Sequence, residues 1–164
     1  KPKLSVAASY DVNNKAVKTR SNMGSYMVTD NGFFETDIHT LFVDMMFNYK
    51  GFSVMAEYAN REAEQAIAKN SDGSKTGAVV NVGMGINAQA GYLFKNNWEV
   101  ATRFTYIELD KKITGDDIER QYTLGVSKYI VGHKLKVQSD MSYLDVQGSK
   151  DNELMYRLQI DLHF

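Results

Sequence analysis

The chain has 164 residues, of which 43% are hydrophobic and 24% charged, and 19 Lys and Arg stand against 20 Asp and Glu for a net charge of -1. That size suits a single domain over residues 1–164, and the balanced charge removes the electrostatic case for nucleic acid or an anionic surface as partner. Zero cysteine excludes disulfides, thiolate metal sites and thiol nucleophiles, and no run approaches the roughly eighteen apolar residues of a membrane helix.

Alternation with period two dominates the chain and predicts β-strands. In order, Leu4 to Val12, Leu41 to Tyr49 and Phe52 to Tyr58 read as strands. Val80, Val82, Met84, Ile86, Ala88, Ala90 and Tyr92 then alternate with Asn81, Gly83, Gly85, Asn87, Gln89 and Gly91. Trp98, Val100, Phe104 and Tyr106 oppose Glu99, Ala101, Arg103 and Thr105, and Tyr122, Leu124 and Val126 oppose Glu119, Gln121, Thr123, Gly125 and Ser127. Leu135, Val137, Met141 and Tyr143 oppose Lys134, Lys136, Gln138, Asp140 and Ser142. The pattern is cleanest at the end, where Leu154, Tyr156, Leu158, Ile160, Leu162 and Phe164 alternate with Glu153, Met155, Arg157, Gln159, Asp161 and His163. A dozen alternating residues exceed the usual soluble strand of about five or six. The mean hydropathy of -0.38 fits strands that carry one apolar and one polar face.

The connections are sorted by length. Lys50-Gly51, Lys95 to Asn97 and Val131 to His133 are tight turns, whereas Asn13 to Thr36, Glu62 to Gly77, Asp110 to Asp117 and Asp145 to Asn152 are long and polar. Strict alternation of short and long connections is the asymmetry of outer-membrane barrels, with short periplasmic turns and longer external loops. Aromatic residues fall near strand ends: Tyr49, Phe52, Tyr92, Phe94, Trp98 and Phe164 at the turn end, Tyr10, Tyr58, Tyr106, Tyr143 and Tyr156 at the loop end. Two interfacial girdles would be built this way. The expected fold is an all-β, transmembrane, antiparallel up-and-down β-barrel with about eight strands in this chain, located in a bacterial outer membrane and in contact with its lipids.

Three stretches carry a family resemblance: Trp98 to Leu109, Tyr122 to Tyr129, and Glu153 through the terminal Phe164. They resemble the closing strands of the phosphate-selective porin O and P family, and Gly51 to Tyr58 is similar to a return strand of that family. The resemblance runs from about Leu41 onward. It implies a full porin, and barrels wide enough for an aqueous channel need about sixteen to eighteen strands, so it implies that this chain is the C-terminal half of a larger barrel. The Lys1 start, without a signal peptide, is the start expected of a mature form or a fragment.

Porin selectivity comes from charges along the pore wall. By parity Arg61, Arg103, Lys134, Lys136 and Arg157 face the interior, together with Asp44, Glu57, Glu99, Glu119, Asp140 and Asp161. Both signs occur in comparable number, which departs from the Arg and Lys surplus of a phosphate channel. Pairing across strands would let the same charges hold the wall in shape. His39, His133 and His163 lack ligand spacing, Gly83 and Gly85 read as small interior-facing residues, and Asp72-Gly73 and Asp116-Asp117 read as solvated loop carboxylates. No catalytic, cofactor-binding or metal residues are assigned. The long segment Asn13 to Thr36 holds Met23, Tyr26, Met27, Phe33 and Phe34, an apolar content that points to packing, within the barrel as a constriction in preference to docking on a neighbouring protein. The function expected is a water-filled channel for passive diffusion of small polar or ionic solutes, not an enzyme, with a homotrimer or other outer-membrane proteins as partners. The alternative is a closed eight-stranded barrel serving as anchor or assembly partner.

Overall fold

A computed structural model describes residues 1–132, 134–149 and 152–163, so the roles expected of His133 and Phe164 lie outside the described residues. The elements run β1 (Lys3–Ala16), β2 (Lys18–Arg20), β3 (Met23–Tyr26), β4 (Val28–Thr29), β5 (Gly32–Phe33), β6 (Thr36–Tyr49), β7 (Phe52–Ala63), β8 (Ile67–Lys69), β9 (Lys75–Val79), β10 (Gly83–Leu93), β11 (Trp98–Leu109), α1 (Lys111–Thr114), β12 (Glu119–Tyr129), β13 (Leu135–Val146) and β14 (Glu153–Leu162). No helix among them is long and apolar enough to cross a membrane.

Eight long strands form one antiparallel sheet in the order β1-β6-β7-β10-β11-β12-β13-β14, each paired with the next long strand of the chain. Their turns suit this meander. Lys50 (φ 47°) and Gly51 (φ 85°) both occupy the left-handed region, the geometry of a two-residue hairpin whose twist matches that of its strands. In the β10–β11 hairpin, Phe94 N–H donates to the Trp98 carbonyl at 2.8 Å. The sheet is open. β1 and β14 are its two edges, and among the described residues they do not pair with each other, so no closed eight-stranded barrel forms there.

The two faces differ as the alternation requires. Along β14, Leu154, Tyr156, Leu158, Ile160 and Leu162 project from one face at 60% exposure or more, and Leu124 on the interior strand β12 is 53% exposed. Cross-strand rows place aromatics side by side on this face: Tyr49 lies opposite Phe52, and Phe52 opposite Tyr92. At the other end Phe104 and Tyr122 have ring centroids 5.2 Å apart, and Tyr122 lies opposite Tyr143. His39 belongs to this face too, stacked 5.9 Å from Tyr10.

The principal apolar core lies off the sheet, among the long connections. Ala16, Met27, Ile38, Ala68, Val80 and Val82 form one buried cluster, with Phe34 and Ile113 packed against it. Ile38 and Thr40 are buried while Leu41 and Val43 of the opposite face are exposed, so the loops cover the charged face at the loop end of the sheet. Here the alternation over residues 80 to 92 misplaces its first members. Val80 and Val82 precede β10 and are 0% and 7% exposed, held under the loops instead of on the apolar face. Gly83 also proves more than a small residue: its φ is 136°, and a Cβ there would overlap the backbone of Glu108 and Leu109.

Candidate functional site

The charged face carries the candidate site, and strand register decides which of its residues meet. Gln89, Arg103, Thr123 and Ser142 form one row across β10 to β13, and Gly91, Ala101, Gly125, Asp140 and Arg157 form the next across β10 to β14. One row further, Glu99 lies opposite Ser127 and Ser127 opposite Gln138. The small residues of the middle row leave a groove of about 260 Å³, bordered by Arg103, Gln89, Glu99, Tyr129, Lys136, Gln138 and Arg157.

Within the groove most charges are matched. Arg157 directs Nε and Nη2 onto Asp140 Oδ1, both at 2.8 Å. Lys136 Nζ lies 3.1 Å from Asp161 Oδ2 and donates to Gln138 Oε1 at 3.0 Å. Asp140 is 7% exposed, and the guanidinium supplies charge-assisted bonds to it in place of water. Arg103 differs: its Nε and Nη2 donate to Gln89 Oε1 at 3.1 and 2.9 Å, an amide and no carboxylate. Glu99 Oε2 accepts from the Tyr129 hydroxyl at 2.6 Å.

The remaining expected residues lie apart from the groove. Asp44 lies opposite Glu57, whose carboxylate accepts from Asn87 Nδ2 at 2.9 Å, and both acids are exposed. Arg61 donates through Nε to Thr40 Oγ1 at 3.3 Å, with Arg20 and Asp11 as charged neighbours. Glu119 begins β12, exposed and far along the strand from the groove. Lys134 is exposed in the β12–β13 turn, outside the strands, and so is not part of the sheet wall. Of the expected set, then, Arg103, Lys136, Arg157, Glu99, Asp140 and Asp161 come together, while Arg61, Asp44, Glu57, Glu119 and Lys134 do not.

Sequence reasoning passed over Gln89, Tyr129 and Gln138 as contributors, since neutral residues carry no charge signal and only register brings them to the ions. It also passed over Arg120 and Asp145. These lie on the apolar face at its loop end, 3.3 Å apart, with the Arg120 guanidinium 5.8 Å from the Tyr106 ring.

The loops over the charged face are tied to one another. Met27 N–H donates to the Val17 carbonyl at 2.8 Å, and Asn81 N–H to the Thr19 carbonyl at 3.0 Å. Asp30 accepts from Ser71 N–H at 2.9 Å and from the Ser71 hydroxyl. Those two bonds, the hydroxyl first, lower the Asp30 pKa below the ordinary carboxylate value. Asp72 is lowered likewise by the Ser74 hydroxyl and N–H. Both carboxylates thus serve loop structure. Among the described residues no group of His, Asp and Glu is arranged to hold a metal ion.

No family model, curated protein or solved structure matches the chain.

Proposed function

We propose that this chain is part of the wall of an outer-membrane diffusion channel, with its apolar face toward lipid and its charged face toward a water-filled lumen. The observation that carries the reading is the two-faced open sheet. Soluble monomers rarely expose contiguous apolar patches beyond a few hundred Å², whereas here one face of the eight-stranded sheet is largely apolar, with large side chains exposed on most of its strands. Strands of ten to fourteen residues, at about 3.3 Å per residue and tilted by about 40°, project roughly 25 to 35 Å, enough for an apolar band about 25 Å tall.

The open edges favour a larger barrel over the closed eight-stranded alternative. A closed eight-stranded barrel has interior room for side chains only, and here the packed loops around Met27 and Ile38 occupy the charged face as well. Additional strands pairing with β1 and β14 would complete a wider ring, in keeping with the resemblance to the phosphate-selective porin O and P family. Within it the loop cluster would narrow the external mouth, and the mixed charges below it would pass small polar solutes of either sign. A bacterial outer membrane is the proposed location, and a trimeric or other outer-membrane assembly the proposed context.

The test is single-channel recording of the native polypeptide in a planar bilayer, with its mass determined in parallel. Stepwise conductance from a species larger than 18.5 kDa is the expected outcome. An 18.5 kDa species that inserts and carries no current would sink the channel in favour of the anchor. Orientation is read by labelling cysteines placed at Ser74 and Gly132 in intact cells, where labelling at Ser74 alone is expected.

A further inference from the structure

Among the described residues, two opposite charges in the groove stand outside every ion pair. Arg103 and Glu99 stand four residues apart on the same face of β11, about 13 Å between Cα atoms, yet both side chains reach across to β10. Arg103 bonds Gln89, while Glu99 Oε1 leans over Gly91, where an added Cβ would lie 3.2 Å from it. Gln89 and Gly91 are only about 7 Å apart along the strand. Both side chains thus lie on the β10 side of the groove, but among the described residues neither joins an ion pair. Each is already positioned, Arg103 by Gln89 and Glu99 by the Tyr129 hydroxyl, and each keeps hydrogen-bonding capacity to spare: unused N–H donors on Arg103, and Oε1 on Glu99.

We propose that this groove is a binding subsite for a small zwitterion of the α-amino acid class, with Arg103 receiving the carboxylate and Glu99 the ammonium group. Charge selects the ligand. A simple anion bound to Arg103 would share the groove with the Glu99 carboxylate, and a simple cation at Glu99 would share it with the guanidinium, so each meets a like charge as well as an opposite one. A zwitterion satisfies both heads with charge-assisted bonds. The rest of the groove adds no net charge, since Arg157 with Asp140 and Lys136 with Asp161 cancel. Ala101 and Gly125 supply the space for a short side chain.

The inference rests on the channel reading only for its use in transport, because binding is measured separately from current. Equilibrium binding of L-alanine, acetate and methylammonium to the full chain in detergent micelles is followed by solute NMR, with strand content checked by circular dichroism. Alanine is expected to bind about tenfold more tightly than either single ion, the factor for one additional charge-assisted bond. Glu99→Gln, which keeps an acceptor for Tyr129, should weaken alanine about tenfold and leave acetate unchanged or tighter, whereas Arg103→Gln should weaken both. Arg103→Lys should retain part of the alanine affinity. Equal binding of alanine and acetate, or unchanged alanine affinity in folded Glu99→Gln, would overturn the subsite. Current without alanine binding overturns the subsite alone; alanine binding without current overturns the channel alone.

Discussion

Asp140 and Arg157 share one ion pair, yet their removal should not cost the same. Asp140 is nearly buried with a 7% exposed side chain, whereas that of Arg157 is 51% exposed. Arg157→Ala leaves a carboxylate with little water and no partner, so it should lower stability by about 2 to 3 kcal/mol. Asp140→Ala leaves a guanidinium that water can reach, and about 1 kcal/mol is expected. Urea unfolding of liposome-reconstituted protein measures both. Equal costs would mean that the pair contributes through geometry and not through burial of Asp140. Arg103 and Glu99 are the contrasting case on the same strands: held by neutral neighbours, they can be exchanged at small cost to the fold, which is why they serve to test binding.

At the scale of elements, the loops form a unit of their own. Met27 is completely buried against Ile38 and Val80, and Met27→Ala removes most of that contact at a cost of about 2 to 4 kcal/mol. That loss falls on β2 to β5 and β8 to β9, while the long strands keep their backbone ladders. The expected outcome is an unchanged strand signal by circular dichroism with a larger single-channel conductance, as the loops swing from the mouth. Unchanged conductance in a folded variant would place the loops outside the conducting path. The same unit should respond to acid. Because the Asp30 pKa is lowered by its bonds from Ser71, the ionised form stabilises the loop contact above the ordinary carboxylate pKa, and this contribution is lost as pH falls through the lowered value. Asp72 with Ser74 follows the same sign. The Ser71 and Ser74 amide resonances should therefore hold constant from neutral pH down through the ordinary carboxylate pKa and move only below it.

For the whole molecule, the two faces of the sheet predict opposite tolerance to charge. Leu124 stands on the apolar face of β12 and Gln121 on the charged face of the same strand. In a bilayer Leu124→Arg should cost about 2 to 4 kcal/mol, while Gln121→Arg should stay within about 0.5 kcal/mol. Folding titrations in liposomes read the difference. In a water-soluble protein an already exposed Leu124 would accept arginine freely, so a negligible cost would count against lipid contact.

Period-two alternation from Leu4 to Leu162 determined by itself that the protein is all-β, where its long strands lie, and which residues share a face, because side-chain parity is a local property of extended backbone. Turn chemistry at Lys50-Gly51 set the hairpin there for the same reason. Only the tertiary structure decided how far the strands run and that the sheet stays open at β1 and β14. It also decided that Val80 and Val82 lie beneath the loops, a burial fixed by segments distant in the chain. The candidate site divides in the same way. Parity placed Arg103, Glu99, Asp140 and Arg157 on one face, but pairing Arg157 with Asp140 and leaving Arg103 and Glu99 outside every ion pair among the described residues depends on inter-strand register, which no single strand encodes.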